Sequence, residues 1–287
     1  MEIKILITSG DSFSSEHPDW NNRLAEHLMV PIHNLAMPSY GNEWITRSSI
    51  HGIQTAFEKG YNSNEIFLAV LWTYPPRKLF LIDREEMYGS DLYVYDPILL
   101  KREPLPVLNP IFLDIFPFPN RTYHHVALKS FSKEETTNIN EFWAVGSPGG
   151  TYEFGWYPEI DKFVKPWYDT YHSSGSELLE TFNNILLLQY FCEKNNIKML
   201  NMMAIDFFYY PDYDFHFKKI KKDICYKKYN FLKPLYDCIN FDNWVMEPLL
   251  EFTEKNNYKL LDTVHPGPEA HKNFLEQHIL PKIEKML

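Results

Sequence analysis

The chain reads as an α/β protein built on a mostly parallel sheet, and three observations carry that reading. Ile3, Ile5 and Ile7 alternate with Lys4 and Leu6 and run into Ser9-Gly10-Asp11, a strand closed by a tight turn. Ile66 to Leu71 is a continuous apolar run, the pattern of a strand buried on both faces of a parallel sheet. Between and after these runs, segments with helical spacing alternate with short apolar ones.

Taken in order, Asn21 to Leu28 reads as a helix and Ile32 to Ala36 as a second strand, broken at Pro38 to Gly41. Glu43 to Lys59 has Trp44, Ile45, Ile50, Ile53 and Phe57 near helical spacing, with Gly60 as its C-terminal cap. Ser174-Gly175-Ser176-Glu177 has capping-box spacing and opens a helix through Leu178, Leu179, Phe182, Leu186 and Phe191, which leads into a strand at Ile197 to Ile205. A last helix starts at Pro268 and runs to about Leu280.

Two stretches break the alternation. Of the 20 prolines, 11 fall between Tyr74 and Thr170, among scattered Tyr, Phe and Trp. A second aromatic-rich stretch, Phe207 to Trp244, carries Lys218, Lys219, Lys221 and Lys222, read as a solvated face. The expectation is one α/β domain over residues 1–287, with its core in 1–73, 175–206 and 258–287 and irregular insertions at 74–174 and 207–257.

Composition narrows the function. With 45% hydrophobic and 23% charged residues the chain is globular, and its net charge of −10 repels phosphate backbones and anionic lipid. Nucleic acid is excluded as the main partner on that ground. The longest membrane-span candidate, Ile185 to Leu188, falls far short of a span and is flanked by Asn183, Asn184 and Gln189. Met1-Glu2-Ile3-Lys4 lacks the basic start of a signal peptide, so the expectation is a cytoplasmic protein with no membrane partner. Abundant Asn, Lys, Tyr, Phe and Ile, the residues of AT-rich codons, suit a bacterial or phage-encoded, virion-associated origin. Cys192, Cys225 and Cys238 have no CxxC spacing and read as buried free thiols. The aromatic fraction of 16% suits a groove that faces sugar or protein.

Chemistry is expected where strands end. Gly10-Asp11-Ser12-Phe13-Ser14 places a serine in a turn before a helix, where backbone N–H groups can stabilise developing negative charge. Asp262-Thr263-Val264-His265-Pro266 offers a base and a carboxylate to orient it, which a serine hydroxyl needs to become a nucleophile. In Asn34 to Asn42, Gly41 can present its N–H to an oxyanion. His124, His125, His271 and His278 lack carboxylate or Cys partners at metal-ligand spacing, so no metal site is expected. Gly146-Ser147-Pro148-Gly149-Gly150 has neither the Lys nor the preceding strand of a phosphate loop and reads as a turn or lid hinge.

The order of these pieces resembles the SGNH hydrolases, the GDSL esterase/lipase superfamily, over residues 3–73 and 258–283. That resemblance implies a three-layer α/β/α sandwich and a serine esterase that needs no cofactor. Ser12 is then the nucleophile, His265 the base and Asp262 its orienting acid, with the N–H groups of Ser12 and Gly41 as oxyanion donors. The family's Gly-x-Asn-Asp block is missing: Leu71-Trp72-Thr73-Tyr74-Pro75-Pro76-Arg77 stands in its place, without the donor Asn. Thr73 is expected to donate through its hydroxyl, or Arg77 through its guanidinium; Asp11, Asn42, Trp72 and Arg77 are the expected substrate-binding residues. The expected substrate is a carboxylic ester, an O-acetyl group on a carbohydrate. A sugar O-acyltransferase and a non-catalytic carbohydrate-binding or structural module are the alternatives.

Overall fold

The strand that opens the chain, β1 (Ile5–Ser9), is buried along its whole length. It belongs to a computed structural model that describes residues 2–15, 19–36, 40–83, 121–122, 141–147, 150–151, 166–168, 170, 173–209, 224–261 and 264–287. The chain divides into two compact units, Met1–Arg77 with His172–Leu287, and Lys78–Tyr171.

In the first unit, β2 (Ile32–Asn34), β1, β3 (Ile66–Trp72) and a later strand, Lys198–Met203, form a four-stranded all-parallel sheet in that order. The unit is therefore α/β. Every residue of β3 is buried, as its unbroken apolar run requires of a central strand. Fully burying each Leu, Val or Phe there contributes about 1.5–3 kcal/mol relative to exposure.

Side chains alternate faces along a strand. Leu6, Phe67, Ala69, Leu71, Leu200 and Met202 form one cluster with Trp20 and Leu24 of the helix Asp19–Leu28, Phe252 of Leu249–Lys255, and Phe274, Ile279 and Ile283 of the C-terminal helix. Ile7, next to Leu6 and so on the other face, approaches the helix Asn42–Glu58 at Gly52, where an added Cβ would meet Ile7 at 3.3 Å and Leu35 at 2.5 Å. We label the helices that bear on the site α1 (Ser12–Ser15), α2 (Asp19–Leu28), α3 (Asn42–Glu58), α4 (Ser174–Lys194), α5 (Leu249–Lys255) and α6 (Pro268–Phe274).

The expected elements shift in detail. The capping box of α4 lies one residue earlier than the sequence reading placed it: Ser173 is the cap, and its Oγ accepts from the Ser176 N–H at 3.1 Å. Gly60, at φ 89°, follows Lys59 past the end of α3 and donates to the Phe57 carbonyl at 2.9 Å. The C-terminal helix reaches Met286 through a π-helical segment, Leu275–Ile279. Pro281 has no N–H to continue the ladder, and the turn ahead of it widens.

The stretches read as irregular also carry structure. In the second unit, β4 (Lys78–Asp83) pairs antiparallel with β6 (Glu141–Ser147). Beside β6, β5 (Arg121–Thr122) runs parallel and β7 (Gly150–Thr151) antiparallel. Gly146 and Ser147 are therefore the last residues of a strand and Gly150 the first of another, where the sequence reading expected no strand before the turn. The pairings of β4 and β5 with β6 were hidden because the partners lie far apart in a proline-rich sequence, and strand propensity depends on the neighbour. We label the Lys198–Met203 strand β8.

Residues 224–257 hold short helical turns and α5. Phe231 is exposed, but Trp244 packs inward with Phe207 and Phe208, which precede this stretch. Phe208 meets Phe207, Trp244 and Tyr236 at centroid distances of 4.7, 5.1 and 5.6 Å, and Phe207, Phe208 and Trp244 are buried. These rings fill a core, so they do not line the sugar-facing groove that composition suggested. Trp244 also makes a single parallel bridge to Asn201 of β8, extending the sheet edge by one residue.

Candidate active site

The sheet order reverses direction between β1 and β3: the chain leaves β1 for β2 on one side and returns to β3 on the other. The loops after β1 and β3 therefore diverge, the position where open α/β sheets bind ligands.

After β1 comes Gly10, where an added Cβ would sit 2.6 Å from Ser14 Oγ and 3.3 Å from Leu71 Cβ. Space, and no unusual backbone angle, favours glycine there. Asp11 caps the short α1: its carbonyl accepts from the Ser14 N–H and its Oδ1 from the Phe13 N–H, each at 3.0 Å. Ser12 lies between these anchored residues. Two side-chain amides, one on the buried Asn21 and one on the half-buried Asn34, hold the far side of the turn, with Asn21 Nδ2 and Asn34 Nδ2 both donating to the Ser14 carbonyl at 2.9 Å. Asn34 Oδ1 in turn accepts from Thr8 Oγ1 on β1 at 3.0 Å and from the Ala36 N–H at 3.1 Å. Sequence reading did not single out Asn21 or assign a role to the Asn34 side chain; two Asn residues at the ends of short elements beside a turn were the available signal.

The base arrives from the other end of the chain. Leu260 and Pro266 form an antiparallel bridge, and the Leu261 N–H donates to the His265 carbonyl at 2.8 Å. An added Cβ on Gly267 would lie 2.7 Å from the Lys259 carbonyl oxygen, so the turn closes only with glycine there. This turn sets His265 Nε2 2.9 Å from Ser12 Oγ, across 253 residues of sequence. The Phe13 ring meets the imidazole edge-on at 5.4 Å. Ser12 is only 5% exposed. Asp262 lies outside the described residues, as do His124, His125 and the lysines Lys218, Lys219, Lys221 and Lys222.

The oxyanion expectations are revised in part. Gly41 stands at the N-terminus of α3 in extended conformation, and an added Cβ would fall on the Arg77 carbonyl. Its glycine is required by the approach of the protein's own backbone rather than by that of a substrate. Thr73 is fully buried, and its hydroxyl donates to Asp11 Oδ2. A hydroxyl has one proton, so one committed to a buried carboxylate is not available to an oxyanion. Arg77 Nη1 pairs with Asp11 Oδ2 at 2.6 Å and donates to Thr73 Oγ1 at 2.9 Å.

The remaining substrate-binding expectations move inward as well. Asn42 is buried: its Nδ2 donates to the Thr73 carbonyl at 3.1 Å and to Thr181 Oγ1 on α4 at 3.2 Å, while its Oδ1 accepts from the Thr73 N–H at 2.9 Å. It clasps α3, the exit of β3 and α4 together. Trp72 has no exposed surface, and its indole N–H donates to Asn201 Oδ1 at 2.9 Å. Asp11 accepts from the Thr73 hydroxyl and pairs with Arg77.

Among other titratable groups, His271 is fully buried on α6, and His278 packs against Phe252 at 5.1 Å and Phe274 at 5.4 Å. Burial, ahead of the weaker effect of Lys255, holds the His278 imidazole below its usual range, and Glu247 opposes this. Cys192 and Cys225 are buried free thiols, both pushed up to about 12 chiefly by burial; Cys238, also free, is exposed, unlike the expectation. Among the described residues, no group of three or more His, Cys, Asp or Glu side chains converges as a metal site, and no helix is long and apolar enough to cross a membrane.

Compared with protein-family models the chain matches none, and no curated protein matches it.

Proposed function

We propose that the protein is a serine ester hydrolase of the SGNH type, with a three-layer α/β/α sandwich as its fold. The observation that carries the reading is the 2.9 Å contact between Ser12 Oγ and His265 Nε2, made at the carboxyl end of a parallel sheet beside its topological switch point. A serine and an imidazole at that separation are in the geometry of nucleophile and general base. A carboxylic ester is the substrate class, and an O-acetyl group on a carbohydrate is the first substrate to screen.

In this mechanism Ser12 Oγ forms a bond to the ester carbonyl carbon as its proton passes to His265 Nε2. The carbonyl electron pair moves onto oxygen, opposite the N–H groups of Ser12 and Gly41. Collapse breaks the bond to the leaving alcohol, which takes the proton from His265. Water then attacks the acyl-serine, His265 accepts its proton, and the acid leaves as Ser12 recovers the proton. Asp262, three residues before His265, is assigned to orient the imidazole.

Two observations favour a second reading, a binding module that kept the fold: Ser12 is 5% exposed, and the Thr73 hydroxyl is turned to Asp11. Intact-mass analysis after treatment with a fluorophosphonate probe separates the two. One adduct on the wild-type protein, absent from Ser12→Ala and His265→Ala, supports the hydrolase. A folded wild-type protein that takes no adduct leaves only the binding module.

A further inference from the structure

We infer that Asp11 is a positioning residue for the Ser12 nucleophile, and that Arg77 and Thr73 act through Asp11 rather than on the substrate. The inference rests on the hydrolase reading and says how a site lacking the side-chain oxyanion donor holds its remaining parts.

The two carboxylate oxygens of Asp11 are divided between two elements. Oδ1 accepts from the Phe13 N–H at 3.0 Å, immediately beyond Ser12. Oδ2 accepts from the Thr73 hydroxyl and from Arg77 Nη1, the latter at 2.6 Å, at the exit of β3. The nucleophile thus sits between a residue fixed by a buried ion pair and a residue fixed by that same carboxylate. The side chains of Asp11 and Arg77 are 2% and 11% exposed, so water competes little for the pair. The protons at these atoms are accounted for. The one on Thr73 Oγ1 goes to Asp11, and Arg77 Nη1 gives one to Asp11 and one to Thr73 Oγ1 at 2.9 Å. Those atoms brace the Ser12 turn, and with it both the attacking oxygen and the Ser12 N–H that faces the oxyanion.

The rate of fluorophosphonate labelling at Ser12 tests this, resolved into probe binding and the bond-forming step, with circular dichroism to establish folding. Arg77→Met leaves the Asp11 carboxylate without its cation and should slow the bond-forming step about a hundredfold with probe binding little changed, the cost of a small displacement of a reacting atom. Asp11→Asn combined with Arg77→Met should return labelling to within about tenfold of wild type, because the new amide oxygen still caps the Phe13 N–H and its nitrogen can donate to Thr73 Oγ1. Labelling of Arg77→Met at the wild-type rate would overturn the inference. So would a double variant as slow as Arg77→Met, since Arg77 would then act on the substrate itself. Where Arg77→Met does not fold, the double variant decides: near-wild-type labelling supports the inference and a hundredfold loss overturns it. A wild-type protein that is never labelled removes the hydrolase reading and this inference together, whereas a changed pattern on a labelled wild type removes the inference alone.

Discussion

Replacing Asn42 should cost more stability than any contact with substrate would explain, because its amide closes the exit of β3. Thr73 follows the last residue of that strand and is fully buried, and its N–H and carbonyl are both paired with the Asn42 side chain. Asn42→Leu removes both partners from buried backbone groups. At about 1–3 kcal/mol for each group left unsatisfied, the substitution should destabilise by about 2–6 kcal/mol. Asn42→Asp is the sharper probe. One carboxylate oxygen can still accept from the Thr73 N–H, while the other is set against the Thr73 carbonyl in place of a donor. That arrangement disfavours the charged form and raises the folded-state pKa of the new carboxyl above its unfolded value of about 3.9. The folded state then holds the proton more tightly than the unfolded state does. The penalty is therefore full above the folded pKa and shrinks as pH falls through it, when the protonated group can donate to the Thr73 carbonyl. Equilibrium urea unfolding of wild type and both variants between pH 4 and pH 8 measures this. An Asn42→Leu loss below about 1 kcal/mol, or an Asn42→Asp penalty independent of pH, would refute the clasp.

Two further predictions concern groups away from the site. Burial, with Lys59 and His51 adding to it, pushes the His33 imidazole down to about 4. The unfolded chain, at about 6.5, binds more protons between those values, so this contribution to stability is full above about pH 6.5 and is lost toward pH 4; His33→Asn should flatten the slope of unfolding free energy against pH in that window. Iodoacetamide at pH 8 should alkylate the exposed Cys238 in the folded protein and spare Cys192 and Cys225, with all three reacting after unfolding, as read by peptide mass.

Much of the first unit was legible because its signals are local. The Ile66 to Leu71 run marked a central strand, and the spacing of Trp44, Ile45 and Ile53 marked α3, since burial of a strand or of one helix face writes itself into neighbouring residues. Asp11-Ser12 and His265 stood out for a related reason, as reactive residue types in turns at the ends of such elements. The pairings of β4 and β5 with β6 were not legible, because pairing between segments far apart in sequence leaves little mark on either one, and β7, which follows β6 closely, is only two residues long.

What the sequence determined alone was the alternation of strand and helix, a Thr with no Asn in the residues just after β3, and the residue types available to the site. Only the tertiary structure decided their partners. Thr73 and Arg77 looked from sequence like donors to a substrate, yet the one proton of the Thr73 hydroxyl goes to Asp11, and Arg77 Nη1 pairs with the same carboxylate. Asn42 and Trp72 looked like groove residues, yet buried backbone and Asn201 claim their polar atoms. A side chain's chemistry is fixed by its type, but which group it serves depends on what the fold brings within hydrogen-bond distance of it. For Ser12 and His265 that separation is 2.9 Å, set by a sheet and a turn that only the folded chain closes.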